Sequence, residues 1–278
     1  MKKFFRSLIL FTVVGSLAAC SSQTGTTKKS IQDKGKIVVA TESEFAPFEF
    51  KTLIDGKDTL VGADIELANA IADALDVDVE FSVMSFNNVL ASVTSGKADI
   101  AIAGISVTDE RKKAYDFSDA YYDFSDAYYE AENVVIIKKS DEATYTSTTS
   151  LAGKSIGAQK GSIQENIAKD QLPDSSLVSL TSNGEMINEL KNNQLQAVVL
   201  EKAIAEGYVS QNDDLMIADI TLESDDTDAY AVAFAKGTDQ DLIDSVNEVI
   251  KKAKDSGDFD AWLDKAATYT QSSSSTDE

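Results

Sequence analysis

Apolar and polar positions along this chain follow two rhythms, and both occur twice. Lys36-Ile37-Val38-Val39-Ala40 is a short apolar run of the kind that forms a buried strand. From about Ala63, Ile65, Ala68, Ile71, Ala72 and Leu75 recur at helical spacing, with Glu66, Asn69 and Asp73 on the opposite face. Residues 77–83 alternate as a strand does, and residues 86–93 are helical until Gly96 stops them. Ile100-Ala101-Ile102-Ala103 is another buried strand. Strand, helix, strand, helix, strand predicts an α/β layer built on a largely parallel sheet.

The order then repeats, with strands at 155–158, 177–180 and 197–200 and helices at 163–171 and 185–191. Each closing strand follows a polar helix stop at once, Ser95-Gly96-Lys97-Ala98-Asp99 in the first unit and Asn192-Asn193-Gln194-Leu195-Gln196 in the second. Two such units imply two lobes. Open parallel sheets bind ligands beyond the C-terminal ends of their strands, so facing lobes would place those ends around one cleft. Residues 229–235 form a further strand that the second unit has no partner for, and it is expected to return to the first lobe. That route gives two chain crossings and a hinge. A helix carrying Leu242, Ile243, Val246, Val249 and Ile250 follows, then a segment at 259–267 with Trp262 as a core residue.

Before the first unit, Lys2, Lys3 and Arg6 precede an apolar run at 8–14 and then Leu17-Ala18-Ala19-Cys20. The run is far shorter than the roughly 20 residues of a spanning helix and predicts a cleaved export signal over residues 1–19. Leu17-Ala18-Ala19-Cys20 resembles a lipobox, which would leave Cys20 as a lipidated N-terminus. Two acyl chains anchor durably where one is marginal. Residues 21–35 are polar and lack apolar periodicity, so 20–35 is expected to be a lipidated flexible linker, and 271–278 a disordered Ser-rich tail.

The length of 278 residues leaves room for two medium domains with real cores. There is no His and one Cys, which removes Ser-His-Asp triads, Cys-His pairs, imidazole metal sites and disulfide frameworks. A net charge of −22, falling to −25 once residues 1–19 and their three cations are removed, argues against nucleic acid as a partner. It also favours a covalent tether over electrostatic attachment to an anionic membrane. Asp225-Asp226-Thr227-Asp228 lacks an EF-hand pattern and reads as a solvated turn. No cofactor or metal is implied.

Three stretches carry a family resemblance. They are Thr41-Glu42-Ser43-Glu44-Phe45-Ala46-Pro47-Phe48-Glu49-Phe50 with Val61-Gly62-Ala63-Asp64-Ile65-Glu66-Leu67, then Lys97-Ala98-Asp99-Ile100 through Gly104-Ile105-Ser106-Val107-Thr108-Asp109-Glu110-Arg111, and Gly157-Ala158-Gln159-Lys160-Gly161-Ser162 with Glu201 farther on. In this order, behind a lipobox, the chain resembles the polar-amino-acid-binding proteins of ABC importers, extracellular solute-binding family 3, over residues 36–265. The resemblance implies an α/β, two-lobed, periplasmic-binding-protein-like fold of type II. Each lobe would be a mixed, mainly parallel sheet flanked by helices, with lobe 1 at 36–130 and 230–270 and lobe 2 at 131–229.

It also implies a site. Arg111 matches the clamp for a ligand carboxylate, since a guanidinium grips both oxygens at once. Gly104 and Ser106 match positions that add a backbone and a hydroxyl donor. Gly161, Ser162 and Ile163 open a helix whose free amides attract an anion, with Glu165 completing a capping box. Glu201 stands where the family usually has Asp to receive the ammonium, a departure in side-chain length. Phe45 matches an aromatic laid against the ligand side chain, and Phe86 and Asn87 match pocket-lining positions. Glu42 and Glu44 bias the pocket toward cationic or polar side chains. By residue chemistry alone, Arg111 could sit in a charged turn, Glu201 could cap a helix in solvent, and Phe45 and Phe86 could be core.

The reading that follows is capture of a polar amino acid by lobe closure. A monomeric, lipid-anchored protein on the extracytoplasmic face would then deliver the ligand to permease and ATPase subunits; the chain itself has no Gly-Lys-Ser/Thr phosphate loop. A sensor module and a cyclohexadienyl-dehydratase-like enzyme are the rival readings. One feature departs from the family pattern. Asp116-Phe117-Ser118-Asp119-Ala120-Tyr121-Tyr122 is followed at once by an identical heptad at 123–129, just before the first crossing. An odd insertion inverts strand facing, so one copy is expected to keep the strand and the other to bulge.

Overall fold

The computed structural model describes residues 26–123, 132–223 and 229–273. Helix α1 (Lys28–Lys34) leads into β1 (Lys36–Thr41), followed by a small antiparallel sheet of β2 (Glu44–Phe45), β3 (Glu49–Ile54) and β4 (Lys57–Val61). Then come α2 (Ala63–Leu75), β5 (Asp78–Val83), α3 (Phe86–Thr94), β6 (Ile100–Ala101), α4 (Asp109–Ala114) and β7 (Tyr115–Asp123). The second lobe holds β8 (Asn133–Lys138), β9 (Ser155–Gln159), α5 (Ile163–Gln171), β10 (Ser176–Leu180), α6 (Asn183–Lys191), β11 (Ala197–Glu201), α7 (Lys202–Ser210) and β12 (Leu215–Ile217). The chain ends with β13 (Ala229–Ala235), α8 (Gln240–Ser256) and α9 (Asp258–Ser273).

The two main sheets have matching orders, β5-β1-β6-β13-β7 and β10-β9-β11-β8-β12. In the first, β1 pairs in parallel with β5 and β6, while β13 runs antiparallel to both β6 and β7. In the second, β9 pairs in parallel with β10 and β11, while β8 runs antiparallel to β11 and β12. Four of the five strands in each sheet therefore point the same way. The reversed strand is the one that arrives from the other lobe, β13 in the first sheet and β8 in the second. Both sheets are covered on two faces, which is why their central strands read as near-continuous apolar runs. Ile37, Val39, Ile100 and Val232 are fully buried in one lobe, and Val135, Ile137, Ile156 and Val199 in the other.

The first copy of the duplicated heptad lies wholly within β7, and each of its ends is tied down. Asp116 pairs with Lys236 at 2.7 Å and accepts from the Gly237 amide, while the Tyr121 hydroxyl donates to Asp64 at 2.9 Å. The bulge expected of the second copy lies outside the described residues, as do Cys20 and the acidic run at 225–228. The pairing of β7 with β13 is itself irregular, with register shifts around Ala231.

The expected flexible linker is corrected at its C-terminal half. Residues 28–34 form a helix capped at both ends: Thr27 and Ser30 make a reciprocal capping box, and Gly35 takes the left-handed conformation, φ 67°, that glycine adopts without steric cost. Its single apolar residue, Ile31, is fully buried in the lobe 1 core, and Lys28 donates to Ser245 on α8. One apolar residue in seven shows no periodicity, so this packing is invisible to pattern reading. Helix α9 likewise continues to Ser273, past the point where the tail was expected to begin. Trp262 is only partly buried, packed edge-on against Phe259 at the margin of the core.

Replacing Ile31 with Ala should lower unfolding free energy by about 2–4 kcal/mol in urea titration, since a fully buried aliphatic side chain is truncated. A residue in a solvated spacer would give no change.

Candidate functional site

The C-terminal ends of the parallel strands converge on the cleft between the lobes. Glu42 follows β1, the segment from Ala103 to Ser106 follows β6, Gln159 ends β9 and Glu201 ends β11. Together with Phe45, Phe86, Arg111, Ser162, Ile163 and Gln164, they line a cavity, open in part to solvent, of about 300 Å³. Nine of the eleven expected ligand-site residues line this cavity: Glu42, Phe45, Phe86, Gly104, Ser106, Arg111, Ser162, Ile163 and Glu201.

Arg111 is the cavity's cation. Thr108 caps α4 by accepting from the Arg111 amide, which directs the side chain back across the loop. One guanidinium nitrogen donates to the Ser106 carbonyl at 2.8 Å, another to the Gly161 carbonyl of the facing lobe at 3.3 Å, and the group lies 5.6 Å from the Phe86 ring centre. Burial lowers its pKa to about 10, which still leaves it charged at neutral pH.

Two buried carboxyl groups oppose it, and each is held by the other lobe. Glu42 accepts from the Gln159 side-chain amide at 2.9 Å, and Glu201 accepts from the Tyr230 hydroxyl. In each, one oxygen is engaged and Oε1 has no hydrogen-bond partner among the described residues. Desolvation raises both to about 7, and the bond from Gln159 or Tyr230 only partly offsets it. Behind them lies a second carboxyl pair. Asp64 accepts from the Tyr121 hydroxyl and from the Gly104 amide at 3.0 Å, and burial raises it to about 6. Glu49 is fully buried and held well above the carboxylate range by desolvation, then by the charge of Asp64.

Several expected roles are corrected. The Gly104 amide does not face a ligand, because Asp64 takes it; what requires glycine there is φ +52° and the Phe45 ring, which a Cβ would meet at 2.5 Å. The Gly161 amide is likewise occupied, by Glu165 Oε2 at 2.8 Å, so the reciprocal arm of the capping box reaches one residue earlier than expected. Ser162 does accept from the Glu165 amide, which leaves the amides of Ile163 and Gln164 as the orphan donors of the first turn. Gly161 and Asn87 do not line the cavity. They pack against each other at its rim, where a Cβ on Gly161 would stand 3.2 Å from Asn87. Glu44 also lies outside the cavity and turns toward α6.

Gln159, Gln164 and Tyr230 were missed. Gln159 ends a parallel strand at the cleft, a position that topology marks, but its amide carries no charge to draw notice. Gln164 is held by Asn133 at 2.8 Å, and Tyr230 arrives from the far end of the chain.

The model for bacterial extracellular solute-binding proteins, family 3, matches residues 37–268. The chain belongs to this family. The arginine-binding extracellular protein ArtP of Bacillus subtilis (strain 168) is 32% identical over 262 residues, 94% of this chain and 96% of that protein. Among solved structures, the amino acid ABC transporter substrate-binding protein AbpA from Streptococcus pneumoniae Canada MDR_19A, bound to L-arginine, superposes with a TM-score of 0.80 at 51% identity, over 87% of this chain and 98% of that one. Holo ArgBP from T. maritima superposes at 0.71 with 30% identity, over 81% and 93% of the two chains.

The buried carboxyls of this solute-binding protein fix the sign of its pH response. A carboxyl whose folded pKa lies above its unfolded value stabilises the fold below the unfolded pKa of about 4.5, and that contribution is lost as pH rises through the folded value. For Glu42 and Glu201 the window runs from about 4.5 to about 7. The ligand-free protein should melt higher at pH 5 than at pH 8 by calorimetry, and the Glu42→Gln/Glu201→Gln double variant should flatten that slope.

Proposed function

We propose that this protein captures a cationic amino acid, arginine foremost, by closing its lobes around it, and delivers it to the permease and ATPase subunits of an ABC importer. The observation that carries the choice of ligand is the charge balance of the cavity. Glu42 and Glu201 together bring two carboxylates when ionised, against one guanidinium, Arg111. A zwitterion alone would leave one negative charge buried and unanswered; a zwitterion with a cationic side chain neutralises the site.

The roles divide accordingly. Arg111 has used two of its five donors and keeps others for the ligand carboxylate, to which the Ile163 and Gln164 amides add a helix N-terminus. Glu201 receives the ammonium on its free oxygen. Glu42 receives the side-chain cation, with the Phe45 and Phe86 faces beside it. Arginine-binding relatives support the same choice. Binding differs most between open and closed forms where both lobes touch the ligand, and that difference drives closure. The export signal, lipidation of Cys20 and attachment to the outer face of the membrane belong to the same reading. Capture, with no chemical step, is preferred to turnover because the relatives are binding proteins and the chain lacks His.

Titration calorimetry of the twenty amino acids should give the strongest heat with L-arginine. Arg111→Ala should weaken it about 100-fold or more, the scale of leaving a buried charge unpaired. Glu42→Gln should weaken arginine at least tenfold while sparing glutamine. Because a cationic ligand needs both carboxyls ionised, affinity should fall as pH drops below about 7, up to about tenfold per pH unit for each group. Arginine binding that is indifferent to Arg111→Ala would place the carboxylate elsewhere.

A further inference from the structure

Beyond the cavity a second set of contacts spans the cleft. Glu44, on β2 of the first lobe, reaches the start of α6 in the second. The Ser182 hydroxyl donates to its carboxylate at 2.8 and 3.0 Å, and the Gly184 amide donates at 3.1 Å. Ser182 is the N-cap of α6 and accepts from the Glu185 amide at 3.0 Å, so one hydroxyl serves both its own helix and the opposite lobe. The first amides of a helix lack intrahelical acceptors and sit at the positive end of its dipole, which suits a carboxylate. The first turn of α6 carries no cation of its own. Glu44, Ser182 and Gly184 do not line the cavity.

We infer that Glu44 and the N-terminus of α6 form a latch that holds the lobes shut without touching the ligand. Glu44 is thus a positioning residue that sets how long a captured ligand stays, while the cavity sets which ligand it is. The contact exists only when the lobes are closed; on opening, the carboxylate and the helix end both return to water. Its whole effect therefore falls on the closed state, and hence on release rather than entry. The inference rests on the capture reading above for its probe.

The test is stopped-flow fluorescence of the full-length chain with L-arginine. Glu44→Ala removes the acceptor. Ser182→Asp keeps a good N-cap but sets a carboxylate against Glu44. Each should raise the dissociation rate about 5- to 30-fold and change the association rate less than twofold. Pairing Ser182→Asp with Glu44→Lys should bring dissociation back to within about threefold of the parent, a rescue that mere loss of helix stability would not show. Dissociation within twofold of the parent in both single variants overturns the latch, as does a change confined to association. Should the parent chain give no heat with L-arginine, the ligand assignment fails instead. The latch is then read by small-angle scattering of ligand-free protein: a larger radius of gyration in Ser182→Asp supports it, and superposable curves overturn it.

Discussion

Three charges shut between two lobes set the terms for the rest of this protein. A half-buried guanidinium and two buried carboxyls each lose solvation here, and a partner from the other side offsets part of that cost. The structure meets this by crossing the bonds. Arg111 of the first lobe donates to Gly161 of the second, Glu42 accepts from Gln159, and Glu201 accepts from Tyr230, which belongs to the first sheet. Closure and the satisfaction of buried charge are thus a single event. The free oxygens of Glu42 and Glu201 mark where the satisfaction is incomplete, and under the proposed function a ligand completes it.

The matching strand orders explain why those groups meet. Each sheet has four strands pointing one way, and their C-terminal ends carry the cavity residues. The reversed strand of each sheet is the return from the other lobe. Behind the first lobe's contribution, Asp64 ties the Gly104 amide to the Tyr121 hydroxyl, and Gly104 in turn makes room for the Phe45 ring. That network sits in a low dielectric with Glu49 beside it, where satisfied polar groups rigidify their surroundings and unsatisfied ones are costly. The cavity wall therefore inherits its shape in part from Asp64, Tyr121 and Glu49, which stand outside its lining.

In the proposed reading, ligand choice and closure fall to different residues. Glu42 and Glu44 lie two positions apart with the same charge, yet one enters the cavity beside Gln159 and the other caps α6 across the cleft. Charge near a site is a poor guide to its role until the chain's path is known.

Much of this was legible locally. The helix at 163–171 and the strand at 229–235 appear at the residues their periodicity marked, because apolar spacing is a local property that packing then exploits. The strands at 44–61 and the run at 133–138 were passed over: the first alternates only weakly, and the second is separated from the duplicated heptad by three residues. Helix α1 has one apolar residue, and its caps became meaningful only when the lobe 1 core received Ile31. Among the site residues, the charged and aromatic ones that line the cavity could be picked out by chemistry and family resemblance. Gln159 and Tyr230 could not, since an amide or a phenol announces nothing until a carboxylate stands opposite. Nor could the fate of the Gly104 and Gly161 amides, which are spent on Asp64 and Glu165. By itself, the sequence determined which segments become strands and helices and which side chains carry charge, because both are properties of neighbours along the chain. Only the tertiary structure decided which of those charges are stripped of water and who answers them, because burial and hydrogen bonding depend on residues that meet across separations from 29 positions, Glu201 to Tyr230, to 117, Glu42 to Gln159.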